Sequence, residues 1–249
     1  STIVNNDAAT EITINYDAAG NKLNMTDPSA GLISYVHDGL GLLRQQTNAR
    51  SQVTTYSYDL LDRLETQVEP EGTITNVYDT ATNGIGKLAQ TSNTDFSESY
   101  QYDSLGRTTT ITDTINGHSP LVSSRTFDAF SRVSTATYPQ GFSIERHYND
   151  YGYQNKVTNQ QTGALLQEYR QQDALGNMNV EDLGNGITTY RIYNQNSGLI
   201  QDIVSGNRDA NGDLVDLSVQ NLMYQFDTLG NLYSRRSARN NAESLRETF

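Results

Sequence analysis

Near the start of the chain, Ile12, Ile14 and Tyr16 alternate with Glu11, Thr13 and Asn15. A period of two marks a strand with one covered face. After Asp17-Ala18-Ala19-Gly20 the alternation resumes at Leu23 and Met25. An aspartate opening a turn can accept hydrogen bonds from the amides just ahead of it. A glycine three places later supplies a positive φ at low cost. The pattern predicts a β-hairpin closed by a type I turn with a glycine bulge.

The same phrase recurs along the chain. Aligned on the Asp or Asn after the aromatic residue, it falls at Asp17, Asp38, Asp59, Asp79, Asp103, Asp128, Asn149, Asp173, Asn194 and Asp227. The basic spacing is about 21 residues, lengthened by insertions, and it predicts ten hairpins in one array spanning residues 1–249. The matching glycines are Gly20, Gly41, Gly106, Gly152, Gly176 and Gly230, while Gly86 and Gly198 end lengthened turns. Asp62 and Ser131 stand where glycine is expected, and a polar or basic residue often follows, as at Arg63, Lys87, Arg107 and Arg132. Helical spacing of apolar residues is scarce; the best helical candidate is the tail, residues 236–248.

Composition narrows the architecture. Apolar residues make up 35% of the 249, too few to fill one thick core. A thin layer, in which each unit packs only on its neighbours, suits such a chain. About twenty strands at ~4.8 Å each would make a strip of roughly 95 Å. Open sheets of that width curl or split, so a curved, spiralling β-strip is expected. Equivalent aromatics, Tyr16, Tyr58, Tyr78, Tyr102, Phe127, Tyr148 and Phe226, would form a line along it. Tyrosine suits a thin wall because its ring packs while its hydroxyl can stay wet.

The net charge of −12 argues against nucleic acid and anionic membranes, which call for a basic face. No stretch has the length and hydrophobicity of a membrane span, and no signal peptide is seen. There is no cysteine, hence no disulfide framework. The abrupt start at Ser1, and the end at Phe249 where another aromatic phrase would begin, predict a segment of a longer repetitive protein. No capping sequence is evident, so the strand edges at the two ends predict end-to-end association that grows with salt.

"YSYDLLDRL", "YQYDSLGRT", "FDAFSRV" and "YQFDTLGNL" resemble the YD repeats of the Rhs family, and "VYDTATNGIGKLAQ" its lengthened variant. "LGNGITTYRIYNQNSGLI" and "VQNLMYQFDTLGNL" are similar to longer phrases of Rhs proteins and of shell-forming insecticidal toxin-complex subunits. The resemblance covers nearly the whole chain. It implies a segment of a hollow cocoon built from a spiralling β-strip, enclosing a toxic domain in some members. It also implies a secreted or cell-surface bacterial location. The partners it implies are the rest of a larger Rhs-type chain or neighbouring copies, and an enclosed toxin domain. Related wall-associated proteins and teneurins use such repeats for recognition. The chain is far shorter than a complete cocoon. It also lacks the family's terminal core segment with self-cleaving aspartates.

Candidate chemistry is sparse. "DPSAGL", residues 27–32, is similar to the family's cleavage boundary but has one extra residue, and Asp-Pro with Gly is an ordinary turn. Asp209, Asn211 and Asp213 have the spacing of the first ligands of a calcium loop. The glycine is misplaced at Gly212, however, and Gln220 stands where the bidentate Glu belongs. His37, His118 and His147 have no second ligand at metal spacing. No nucleophile-elbow motif occurs, and no cofactor is implied. The turn residues Asp17, Asp59, Asp79, Asp103, Gly106, Asp128, Asp173, Gly176, Asp227 and Gly230 are expected to be structural. Three functional readings follow: a structural shell segment without catalysis, a glycan- or partner-binding surface or filament subunit, and a polysaccharide-acting enzyme. Sixteen tyrosines make stacking on sugars conceivable, and the absence of tryptophan weighs against it.

Overall fold

The structure, a computed structural model, describes residues 11–209, 214, 219–238 and 245–249. The chain divides into two compact units, Ser1–Ser124 and Arg125–Phe249. Both are built from antiparallel strands in sequence order. Among the described residues there is no α-helix, and Pro139–Gly141 forms a single 3-10 turn.

The first unit begins with five hairpins. They are β1 (Thr13–Tyr16) with β2 (Lys22–Asp27), β3 (Gly31–His37) with β4 (Leu43–Thr47), β5 (Val53–Tyr58) with β6 (Leu64–Glu69), β7 (Gly72–Tyr78) with β8 (Leu88–Ser92), and β9 (Phe96–Tyr102) with β10 (Thr108–Ile115). The second strand of each hairpin also pairs with the next hairpin, as in Asn24↔Ser34 and Thr66↔Thr75. Strand β11 (Leu121–Phe127) pairs with β10 through Thr110↔Ser124 and runs on into the second unit's residues.

The second unit continues with β12 (Val133–Thr137), β13 (Ser143–Tyr148), β14 (Gln154–Asn159), β15 (Leu165–Gln172), β16 (Met178–Leu183), β17 (Ile187–Tyr193), β18 (Ile200–Asn207), β19 (Gln220–Phe226), β20 (Leu232–Ser237) and β21 (Leu245–Thr248). Successive strands are again hydrogen-bonded neighbours. A helix is expected over 236–248, but the residues of that stretch described in strands are Arg236–Ser237 and Leu245–Thr248. Leu232–Ser237 and Leu245–Thr248 are strands, in register through Arg235↔Glu247. Arg235 and Glu247 face each other and pair at 2.6 Å, a cross-strand attraction that sequence-local helical spacing does not reveal.

The expectation of a thin layer fits the burial pattern. Ala89 is the buried hydrophobic residue of the first unit, and Ile144, Val157 and Val180 are those of the second, among the described residues. The rest of the interior is polar. Ser143, Thr158, Glu181, Thr188, Thr189, Ser205 and Ser234 are all buried. With so little enclosed apolar volume, cohesion rests on strand ladders and on side chains that bridge one hairpin to the next.

Candidate functional site

The turn at Asp59 shows how the repeat is built. The Asp59 amide donates to the Arg63 carbonyl at 2.9 Å, and the Asp62 amide donates to the Asp59 carbonyl at 3.1 Å. Asp59 Oδ1 accepts the amides of Leu61 and Arg63 at 2.8 and 3.0 Å. Its Oδ2 accepts Arg63 Nε at 2.7 Å. One carboxylate thus satisfies two turn amides and anchors a guanidinium. The same bonds recur at Asp103 and Asp128, with Arg107 and Arg132. At Asp17, Asp173 and Asp227 an asparagine amide replaces the guanidinium.

The residue three places after each aspartate needs a positive φ. Gly106 supplies it at 71°, whereas Asp62 and Ser131 adopt 60° and 65° despite carrying a Cβ. The hydrogen bonds around them hold that conformation against its steric cost. A register shift sits beside each of these turns, as between Ser57 and Tyr58. This is the bulge that the Asp-x-x-Gly spacing predicts.

The aromatic residues Tyr16, Tyr58, Tyr78, Tyr102, Phe127, Tyr148 and Phe226 are the last residues of β1, β5, β7, β9, β11, β13 and β19. Contrary to the expectation of wet hydroxyls, several are bonded to backbone. Tyr58 donates to the Leu43 carbonyl at 2.9 Å, Tyr78 to Leu64 at 3.0 Å, Tyr102 to Leu88 at 2.6 Å and Tyr148 to Val133 at 2.7 Å. Each acceptor lies on the preceding hairpin, just past its turn.

The basic residue of that preceding turn covers the same ring. Arg44 lies over Tyr58, Arg63 over Tyr78, Lys87 over Tyr102 and Arg132 over Tyr148, at 4.1–5.4 Å from the centroid, and Lys22 lies over Tyr35, inside β3, at 5.3 Å. These are cation–π distances. At Arg44, Arg63 and Arg132 carboxylate, cation, ring and carbonyl therefore form a relay from one hairpin to the next. Arg63 extends it further by pairing with both Asp59 and Asp79 at 2.7 and 2.6 Å.

The electrostatics follow from these bonds. Backbone and side-chain hydrogen bonds from Arg107 hold Asp103 below the usual carboxylate value. Arg63 does the same to Asp79, and the Asn21 side chain to Asp17. Burial pushes Asp59 and Asp128 upward, but bonds from Arg63 and Arg132 more than offset it. Asp79 and Asp59 together raise the Arg63 guanidinium further above its usual value.

The family description RHS Repeat matches residues 37–74 and 102–143, which contain the Asp38, Asp59, Asp103 and Asp128 turns. The Rhs repeat is present in those two stretches of the chain. Among solved structures it is similar to the TcdB2–TccC3 complex, with a TM-score of 0.79 and 19% identity over 92% of this chain. It is likewise similar to the Photorhabdus luminescens Tc holotoxin pore, with a TM-score of 0.77, 19% identity and 92% coverage. At that identity the likeness is one of fold. This chain spans 13% and 12% of the respective solved chains. No curated protein matches it in sequence.

Outside the relay, further ionisable groups are clustered between strands. In the first unit Glu98 and Asp113 stand directly opposite on β9 and β10, with the Tyr100 hydroxyl donating to Glu98. Burial, then the neighbouring Asp113, raises the Glu98 carboxyl above its usual value. In the second unit Glu181 holds Arg191 at 2.5 Å and accepts Gln167. Beside it Asp182 binds Arg208 at 2.6 Å, Arg170 at 3.6 Å and the Thr188 hydroxyl. These two are charge-compensated ladders between strands.

His147 Nε2 lies 3.0 Å from the Thr158 hydroxyl and 3.9 Å from Glu145. Both contacts use one ring nitrogen, whereas an activated nucleophile needs hydroxyl and carboxylate on opposite nitrogens.

Among the described residues no group of three or more His, Cys, Asp or Glu could hold a metal. Of the calcium candidate, Asn211 and Asp213 lie outside the described residues, as does Gly212, and Asp209 follows the isolated bridge of Arg208 with Leu214. "DPSAGL" forms the β2–β3 turn, where Asp27 Oδ1 accepts the amides of Ser29 and Ala30. No helix among the described residues is long and apolar enough to cross a membrane.

Sequence reading located the aspartates, glycines and aromatics but gave no role to the basic residue after the turn. It also passed over the Glu98–Asp113 pair. The cations were visible as a recurring column. The carboxyl pair was not, because neither residue keeps the 21-residue spacing.

Proposed function

We propose that this chain is a wall segment of a larger, exported Rhs-type bacterial protein, in which the continued β-strip encloses or presents a toxin or other cargo domain. On this reading residues 1–249 are one repeat array without catalysis of its own. Its partners are the rest of the longer chain and the enclosed domain. The turn aspartates, glycines and aromatics are structural.

The observation that carries the proposal is the relay itself. The groups that might otherwise do chemistry at the turn edge are taken up in joining hairpin to hairpin. Asp59, Asp103 and Asp128 each hold an arginine while closing their own turn. The rings of Tyr58, Tyr78, Tyr102 and Tyr148 lie under cations and their hydroxyls reach backbone. A module that couples one hairpin to the next serves extension of a strip. The likeness in fold to TcdB2–TccC3 supports the same reading.

Protease protection in the intact natural polypeptide tests it. Cleavage of any domain carried beyond the repeats should be slow until denaturant opens the strip, and image reconstruction should show that domain within a β wall. Cleavage as fast as for the isolated domain would overturn enclosure. Loss of a polysaccharide-hydrolysing activity in folded Asp59→Ala and Asp103→Ala variants would restore the enzyme reading.

A further inference from the structure

Past Arg132 the residue that follows the turn glycine is no longer basic. It is Tyr153, then Asn177, Leu199 and Asn231. What it meets on the next hairpin changes too. Gln172 precedes Asp173, so that junction has a carboxylate without a ring. Tyr193 precedes Asn194, so that junction has a ring without a carboxylate. Phe226-Asp227, at the end of β19, is the junction after Arg132 that keeps both ring and carboxylate. The residue facing it from the preceding turn is Leu199.

Leu199 runs along the same course as the cations. A Cβ on Gly230 would lie 3.9 Å from Leu199 Cδ1, as one on Gly106 would lie 2.8 Å from Lys87 Cε and one on Gly152 3.4 Å from Arg132 Nη1. Leucine follows that path but carries no charged head. Beside it lies a groove of about 710 Å³, whose walls include Asn194, Leu199, Tyr224, Phe226, Asp227 and Tyr233 and no Lys or Arg. Arg235, opposite Tyr224 in the β19–β20 register, is paired with Glu247. Among the described residues no cation covers the ring of Tyr224, Phe226 or Tyr233. The grooves beside Tyr78 and Tyr102 differ in this respect, because Arg63 and Lys87 already cover those rings.

We propose that the groove between Leu199 and Phe226-Asp227 binds a guanidinium group, the head of an arginine side chain presented by another polypeptide. The chain contains the template. Arg63 stacks 4.3 Å over Tyr78 and donates from both terminal nitrogens to Asp79, the residue after the ring, at 3.1 and 2.6 Å. Phe226 and Asp227 repeat that ring and that carboxylate. Asp227 Oδ1 accepts the amides of Leu229 and Asn231, while Oδ2 accepts the Asn231 side chain at 3.0 Å. A carboxylate oxygen can take a second donor, as Asp59 Oδ2 takes Nε and Nη2 of Arg63. Guanidinium suits the site better than ammonium because it is planar, so it stacks on a ring and still directs N–H groups at a carboxylate. The chain's own contacts rank the two alike: Arg132 and Arg63 come to 4.1 and 4.3 Å from a ring, the lysines to 5.3 and 5.4 Å. Leu199 and Tyr224 offer an apolar wall to the methylene stem of a side chain. Asp227 and a net charge of −12 oppose an anion. The inference concerns this groove and does not depend on enclosure of a cargo.

Titration of the whole ¹⁵N-labelled chain with acetyl-Gly-Arg-Gly-amide tests it. Binding should saturate with a Kd of about 1 mM, and the shifted amides should be those of Gly198, Leu199, Phe226 and Asp227. The same peptide with citrulline, the uncharged isostere of arginine, should bind roughly tenfold more weakly. Asp227→Asn should weaken binding by about the same factor and keep the fold, since asparagine already closes the turns at Asn149 and Asn194. Leu199→Arg should fill the groove from within, abolish peptide binding and raise the melting temperature. An unchanged spectrum at roughly ten times the expected Kd would overturn the proposal. So would equal binding of the citrulline peptide, or a folded Leu199→Arg variant that binds as the wild type does. Chitotriose shifting these amides where the arginine peptide does not would assign the groove to a sugar instead.

Discussion

Arg63 lies 4.3 Å above the Tyr78 ring and pairs with both Asp59 and Asp79. One side chain thus ties the turn after β5 to the strand and turn of the next hairpin. Arg63→Ala should lower the melting temperature and speed amide exchange in β7 more than in β3. In a double-variant cycle with Tyr78→Leu, the combined loss should be smaller than the sum of the single losses, because both substitutions break one contact. Strict additivity would show that the stacking contributes nothing.

The tyrosine hydroxyls carry a separate prediction. Tyr102 donates to the Leu88 carbonyl at 2.6 Å, and Tyr102→Phe removes that bond while leaving the ring beneath Lys87. The expected loss is about 1 kcal/mol by denaturant titration. An unchanged midpoint would mean that solvent replaces the bond at no cost.

Acid should weaken the strip through the turn aspartates. Asp17, Asp79, Asp103, Asp173 and Asp227 titrate below the free value of 3.8 because side-chain and backbone donors stabilise the charged form. A carboxylate whose pKa is lowered on folding binds its proton more tightly in the unfolded state. The stability it contributes is complete above about 3.8 and is lost as pH falls through its folded value. Melting temperature measured against pH should therefore drop steeply below about pH 4, and Asp103→Asn should reduce that dependence.

Glu98 should behave in the opposite sense. Burial and Asp113 raise its pKa above 4.5 in the folded chain. The stability linked to its proton is present below that value and is lost as pH rises through the folded pKa. Glu98→Gln should therefore stabilise the chain at pH 7, with the gain vanishing near pH 4. A variant less stable than wild type at pH 7 would show that the Tyr100 bond to the carboxylate matters more than the opposed charges.

Gly184 should tolerate no side chain. A Cβ there would lie 2.0 Å from the Leu165 carbonyl oxygen, a backbone atom that cannot move without opening the β15–β16 pairing. Gly184→Ala should cost about 2–4 kcal/mol. Gly186→Ala, where nothing lies within 4 Å of the added carbon but φ is +87°, should cost less.

The hairpins are written in local chemistry and could be read from residue order alone. An aspartate, the amides two and four residues on, and a positive φ three residues on are all fixed by short spacing. That is why the turns at Asp59 and Asp103 were legible before any coordinates, and why glycine could be replaced at Asp62 and Ser131 without losing the pattern. The aromatic at each strand end was legible for the same reason. Tertiary structure decided which ring each cation covers, since Arg63 reaches Tyr78 from a different hairpin. It also decided that Glu98 faces Asp113 across 15 residues of chain, and that Gly184 abuts Leu165. The described strands of the tail pair across a ladder that sets Arg235 opposite Glu247. Periodicity records which face of a strand is covered; only strand pairing settles what covers it.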